Sequence, residues 1–280
     1  MLVTTKEMLL AAQSGGYAVA AFNAENMEMT VAVLAAAEEL RAPVILQATP
    51  LMMRFASAAL YVAMARAAME NVTVPVALHL DHGDSYEIAV RSLRAGYTSL
   101  MLDGSRLPYE ENIVLTRRVV GLAAACGIPV EAELGAVGGT EDGLSGKASG
   151  TDPAQAADFR SRTGADSLAV GIGTAHGIYR AQPELDLARL EAIRARVSVP
   201  LVLHGASGLS GEDLRACVER GVCKVNFATE LRLAYSGGIK ALLAEKPETF
   251  DPKELGKAAM ARVKQAALES ICLCGCAGKA

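Results

Sequence analysis

The stretch Pro75-Val76-Ala77-Leu78-His79-Leu80-Asp81-His82-Gly83 decides the fold. It opens on proline and is mostly apolar, which predicts a buried strand, and its far end gathers an acid, an imidazole and a glycine. Seven further stretches read as strands, at 18–24, 43–49, 99–105, 129–134, 167–173, 200–205 and 224–229. Pro43, Pro129 and Pro200 open three of them as Pro75 opens this one, where the ring stops the preceding helix and its missing N–H costs least. Segments rich in Ala, Leu, Glu and Arg lie between them and predict helices at 27–41, 56–70, 86–95, 109–126, 153–163, 183–196 and 211–220. Strict alternation of strand and helix implies a parallel sheet with right-handed crossovers, and eight units close it. The expected fold is α/β, a single (β/α)8 TIM barrel with an extra C-terminal helix near 252–270. An open doubly wound sheet is the alternative, but Phe22-Asn23-Ala24-Glu25-Asn26 lacks the glycines such a sheet carries after its first strand.

The rest of the composition agrees. A chain of 280 residues suits one barrel, so one domain is expected over 1–280. With 51% hydrophobic and 21% charged residues it is not a disordered chain. A net charge of −4 offers no field for nucleic acid or an anionic membrane. Mean hydropathy is positive, yet apolar runs such as 32–37 and 72–80 are too short to span a bilayer. Lys6 and Glu7 interrupt the first ten residues, so no secretory leader is read, and the six cysteines read as reduced thiols of a cytoplasmic protein. The glycine-rich segment 135–150 reads as a flap over the site, against the plainer reading of a surface loop. Cys272, Cys274 and Cys276 suit metal or redox chemistry on paper, but a frayed tail without a partner histidine favours inert thiols.

Polar residues collect where the strands end, the face of a barrel that carries function. They are Asn23, Asp81, His82, Asp103, Glu133, His204, Asn226 and Thr229, with His176 three residues beyond the sixth strand. Three of the four histidines, His82, His176 and His204, precede glycine, which lets the backbone turn close to a bound group. Their imidazoles converge from three strand ends and would hold a catalytic metal with an open position. His79 shares the inward parity of Asp81 and belongs one layer lower. The glycine-rich runs 171–177 and 204–208 suit a phosphate, with Ser207, Asn226 and Thr229 completing the cradle. Asp81 beside His82 is placed as general acid or base, whereas Glu133 and Asp103 could orient a ligand or act directly, and Glu141 lies within the flap. Such a site suggests metal-assisted chemistry next to a carbonyl.

These residues resemble a known family. His79-Leu80-Asp81-His82-Gly83, Glu131-Ala-Glu133-Leu-Gly135, Gly138-Gly139-Thr-Glu141-Asp142-Gly143, Gly173-Thr-Ala-His176-Gly177, His204-Gly-Ala-Ser207-Gly208 and Lys224-Val-Asn226-Phe-Ala-Thr229 are similar to the motifs of class II, zinc-dependent ketose-bisphosphate aldolases. The likeness covers nearly the whole chain and lies nearer the tagatose-bisphosphate branch. It implies one catalytic zinc per chain on His82, His176 and His204, and proton exchange at Asp81 with the aldehyde-side hydroxyl. It implies that Gly177, Gly205, Ala206, Ser207, Asn226 and Thr229 hold dihydroxyacetone phosphate, and that Glu141 moves the proton at the nucleophilic carbon. Asp103 and Glu133 match an alternate metal site, and a monovalent cation near the phosphate is a family feature. The implied reaction is reversible cleavage of a tagatose- or fructose-type ketose 1,6-bisphosphate to dihydroxyacetone phosphate and an aldehyde such as glyceraldehyde 3-phosphate. The implied assembly is a homodimer or homotetramer.

One segment departs from that pattern. Thr49-Pro50-Leu51-Met52-Met53-Arg54-Phe55 has neither Gly nor Ser where the family has small polar residues facing the distal phosphate. An aldolase acting on a ketose 1-phosphate with an unphosphorylated aldehyde is therefore an alternative. Others are a Schiff-base enzyme using Lys224, which sits too deep for a substrate at the mouth, and a non-catalytic metal- and phosphate-binding subunit.

Overall fold

The computed structural model describes residues 1–135, 138–141, 144–146, 149–177 and 183–280, without the side chains of 140, 141 and 144–146. Eight parallel strands form a closed barrel: β1 (Val19–Asn23), β2 (Val44–Ala48), β3 (Val76–Gly83), β4 (Ser99–Leu102), β5 (Val130–Leu134), β8 (Ser167–Val170), β10 (Leu201–Leu203) and β11 (Val222–Phe227). Each expected strand is present. Most are shorter than their expected runs, trimmed by one to three residues at an end. β11 instead begins two residues earlier, since Val222 and Cys223 extend its apolar run.

Helices cover the outside: α2 (Met27–Leu40), α3 (Pro50–Ala56), α4 (Ala58–Ala68), α5 (Tyr86–Ala95), α6 (Tyr109–Ala124), α7 (Pro153–Thr163), α8 (Leu187–Arg194), α9 (Gly211–Glu219) and α10 (Thr229–Glu245). Side chains of Asn26, Ser85, Asp152 and Ser210 cap four of them by accepting first-turn N–H groups. An N-terminal helix, α1 (Thr5–Gly15), packs beside β1 and β11, and α11 (Pro252–Cys274) packs on α2 and α10. Asp251 caps α11, and Pro252 fits its first turn, where no N–H is needed.

Two segments differ from expectation. The helix at the C-terminus does not fray before the cysteines: it runs through Cys274, and Cys274 and Cys276 are fully buried, all six thiols being free. Burial pushes the Cys276 thiol up to about 11. These are packing residues, not a tail. The glycine-rich segment is also not wholly irregular, since β6 (Gly138–Glu141) and β7 (Leu144–Gly146) pair antiparallel. β6 pairs in turn with β9 (Ala175–His176), which ties the segment to a candidate metal ligand.

Candidate active site

Asp81 and His82 are consecutive, and regular strand alternation would send them to opposite faces. His82 instead has φ +47, and the β3–β4 register shifts between Leu80 and Gly83. This bulge turns both side chains to the barrel mouth. Gly83 permits it, since a Cβ there would lie 2.5 Å from the Met101 carbonyl oxygen. Gly205 plays the same part for His204. With φ +65 it passes so close to Ala175 that a Cβ would meet its carbonyl oxygen at 2.6 Å.

His82, His176 and His204 are thereby brought together, with ligand nitrogens all within 4.8 Å of one another. His82 Nδ1 lies 2.9 Å from Asp103 Oδ2, and His204 Nε2 lies 2.8 Å from Glu131 Oε1. A carboxylate only accepts, so the network assigns the ring protons to these outer nitrogens. The inner nitrogens, His82 Nε2 and His204 Nδ1, then face each other at 2.9 Å. Two lone pairs at that distance repel unless a cation lies between them. The donor set therefore fits a metal, and the carboxylates behind it fix ring orientation as ligand-supporting groups do. Asp103 and Glu133 with His82 form a second group close enough to hold an ion. Glu133 Oε2 lies 3.6 Å from His204 Nδ1.

Below this cluster the inward residues of β3, β5 and β11 form a buried charged layer. Lys224 Nζ is 2.8 Å from Glu131 Oε2, an ion pair without the angle of a good hydrogen bond, and both side chains are buried. Lys224 is thus engaged and shielded, which removes the Schiff-base alternative. His79 Nδ1 contacts Ser99 Oγ at 2.7 Å, and Ser99 Oγ meets Thr5 Oγ1 from α1 at 2.7 Å. Burial alone would raise the Glu131 carboxyl, but Lys224 and then His204 hold it well below the usual range. Burial likewise opposes ionisation of Asp103, and the His82 hydrogen bond overrides it downward. His204 and His79 are pushed down, foremost by burial, so both stay neutral.

Asp81 is fully buried and held from both sides. Asn23 Nδ2 donates to Oδ2 at 2.8 Å and Asn226 Nδ2 donates to Oδ1 at 3.0 Å. Gln47 Nε2 in turn donates to Asn23 Oδ1 at 2.8 Å, and the Tyr61 hydroxyl donates to the Gln47 carbonyl at 3.0 Å. The carboxylate thus has one orientation beside the metal-ligand cluster.

A pocket beside the cluster is lined by His176, Gly177, Gly205, Ser207, Asn226 and Thr229, among others. Of the expected substrate residues only Ala206 is absent from its wall; it is buried beneath. Glu141 is the end of β6, and its side chain lies outside the described residues. Sequence reasoning missed Glu131 as a partner of His204, although it shares parity with Glu133. It also missed Arg232, which lines the pocket and is paired with Glu25, and Glu230, which holds Ser207. Arg232 follows Thr229 by three residues, one helical turn, which was a readable signal.

Comparison with known proteins agrees with this geometry. Residues 3–279 match the family described as fructose-bisphosphate aldolase class-II. The chain is 46% identical, over 99% of both chains, to the D-tagatose-1,6-bisphosphate aldolase subunit GatY of Klebsiella oxytoca. Its structure is similar to that of the YdjI aldolase from Escherichia coli K12, at 40% identity and TM-score 0.90 with 100% of each chain covered. A fructose-bisphosphate aldolase from Campylobacter jejuni, 22% identical, shares the fold at TM-score 0.84 over 100% of this chain and 97% of its own. The chain belongs to the class-II fructose-bisphosphate aldolase family and is an aldolase, a lyase that breaks a carbon–carbon bond.

Proposed function

We propose that the chain reversibly cleaves a ketose 1,6-bisphosphate of the tagatose or fructose type to dihydroxyacetone phosphate and an aldehyde, glyceraldehyde 3-phosphate in the leading case. The observation that carries the reading is the pair of facing imidazole nitrogens, His82 Nε2 and His204 Nδ1, next to a buried and doubly held Asp81. His82, His176 and His204 would hold one zinc ion. Zinc bound there supplies a Lewis acid for a carbonyl oxygen. Asp81 takes the C4 hydroxyl proton as the C3–C4 bond breaks and C4 becomes the aldehyde carbon. The electron pair left on C3 accepts a proton, a role we assign to Glu141. In condensation Asp81 returns its proton to the new hydroxyl.

Gly177, Gly205, Ala206, Ser207, Asn226 and Thr229 would hold the dihydroxyacetone phosphate end. Asn226 Oδ1 supports this, being a buried acceptor in the pocket wall with no hydrogen-bond partner among the described residues. Such an atom suits a substrate hydroxyl. Asp103 and Glu133 are proposed as an alternate metal position, and a monovalent cation beside the phosphate completes the set. Residues 1–280 would work as one domain in the cytoplasm, in a homodimer or homotetramer. Among the described residues no single helix is long and apolar enough to cross a membrane.

A panel of ketose 1-phosphates and 1,6-bisphosphates, assayed for cleavage with zinc present, tests the reading. Chelation should abolish cleavage and zinc restore it, whereas borohydride with substrate should trap nothing. Full turnover after exhaustive metal removal would sink it.

A second substrate reading has its own observation. After β2 the chain forms α3, with Leu51, Arg54 and Phe55 exposed and Arg54 the sole charge of the helix. Set over the aldehyde end, such a segment would give little to a second phosphate, which favours ketose 1-phosphates and unphosphorylated aldehydes. The kcat/KM ratio of bisphosphate to monophosphate separates the two readings, with Arg54→Ala as the control for the one local cation.

A further inference from the structure

Glu230 was not among the expected site residues, and neither the metal cluster nor Asp81 uses it. It stands in the first turn of α10, next to Thr229 in the pocket wall. Its Oε2 accepts a hydrogen bond from Ser207 Oγ at 2.6 Å, and the backbone N–H groups of Gly208 and of Glu230 itself lie close enough to favour the charged carboxylate. Burial raises its pKa despite these three donors. The guanidinium in the pocket wall is already committed: Arg232, one turn along α10, is paired with Glu25 from the segment after β1. An internal anion therefore sits on a hydroxyl and N–H groups at a helix N-terminus, the donor set that receives phosphate.

We propose that the Glu230 carboxylate is a built-in occupant of the phosphate donors, holding Ser207 and Gly208 in place and yielding them when the substrate phosphate enters. This rests on the reading of the pocket as a phosphate site and deepens it. Ser207 has one hydroxyl proton, and while it serves Glu230 it cannot serve the phosphate. Two anions competing for the same donors also repel each other. Glu230 is thus a positioning residue that weakens phosphate binding and hastens release, while keeping the buried donors satisfied when the pocket holds no ligand.

The test uses the zinc-loaded enzyme and inorganic phosphate as the probe, titrated by calorimetry into the native protein and into Glu230→Gln, Glu230→Ala and Ser207→Ala. The glutamine amide can donate to Ser207 Oγ, freeing that hydroxyl for phosphate, and it removes the charge at nearly constant shape. Both Glu230 variants should bind phosphate about tenfold more tightly, the worth of one hydrogen bond to a charged group. KM for the ketose substrate should fall with them, and kcat should move less than KM. A purely structural brace would lower thermal stability without tightening phosphate. Weaker or unchanged phosphate binding in both Glu230 variants, with Ser207→Ala binding more weakly than native, overturns the proposal alone. Phosphate binding indifferent to Ser207→Ala overturns the pocket assignment, and the proposal with it.

Discussion

Three barrel strands each send two polar residues inward, two positions apart, and the two tiers so formed behave differently. β3 contributes His79 and Asp81, β5 contributes Glu131 and Glu133, and β11 contributes Lys224 and Asn226. The upper members, Asp81, Glu133 and Asn226, meet the candidate metal ligands or the pocket, and Asn226 Oδ1 has no hydrogen-bond partner among the described residues. The lower members bind one another, Lys224 to Glu131 and His79 within 3.6 Å of Glu131. Glu131 Oε1 then passes upward to His204 Nε2 at 2.8 Å. One tier faces the candidate site while the other fixes which nitrogen of His204, a candidate ligand, carries its proton. A rise of one inward position along a strand separates the two tasks.

The sharpest way to break this comparison is at the upper tier. Asp81→Asn keeps size and much of the hydrogen bonding, so zinc content and thermal stability should hold while turnover falls about 10²–10⁴-fold. Near-normal turnover would mean another group carries that proton, and the upper tier would lose its chemical role. The lower tier should answer the opposite way. Lys224→Met leaves the Glu131 charge buried without its cation, which should cost about 3–5 kcal/mol of stability in denaturant melts. Adding Glu131→Gln to Lys224→Met should return much of that loss, because the unpaired charge is gone. If Lys224→Met melts like the native protein, the buried ion pair is not what holds the layer.

A smaller effect is expected where the tiers meet the ligands from behind. Asp103→Asn removes the carboxylate behind His82 Nδ1 without touching a candidate ligand nitrogen. Zinc affinity, read by competition with a chelating dye, should weaken about 10–100-fold. Unchanged affinity would show that His82 needs no such support and that Asp103 acts elsewhere.

Much of this was legible in the sequence, for identifiable reasons. The barrel followed from eight apolar runs separated by helical stretches, and His82, His176 and His204 followed from their strand ends and glycine neighbours. Inward parity placed His79 below Asp81. What stayed hidden depends on closure. β5 and β11 are separated in the sheet by β8 and β10, so Lys224 and Glu131 meet only across the barrel interior. The bulge at His82 was likewise out of reach, since alternation alone separates Asp81 from His82. α3 was missed although its signals were present: Thr49 caps it and Pro50 opens it. The preceding apolar strand and the Met-rich run masked that boundary.

The smallest expected effect tests whether the lower tier is neutral at His79. Burial, then the charge of Lys224, holds the folded pKa of His79 well below its ordinary value near 6.5. In the unfolded chain the same imidazole takes up a proton as pH falls through about 6.5, so the unfolded state binds more protons there than the folded one. Stability of the metal-free protein should therefore fall as pH falls from 6.5 toward 5, by up to about 1.4 kcal/mol per pH unit for each such histidine. Glu131 and Asp103 do not confuse that window. Their folded pKa values are depressed, so their contribution is complete above their unfolded values near 4 and declines only at lower pH. His204 adds to the slope in the same sense, because burial lowers its pKa as well. His79→Asn, which can keep a polar contact to Ser99, should remove one proton's share of the slope while leaving the His204 share. An identical slope in native and His79→Asn melts between pH 6.5 and 5 would mean that His79 is already protonated in the fold. The lower tier would then carry a second positive charge against Glu131.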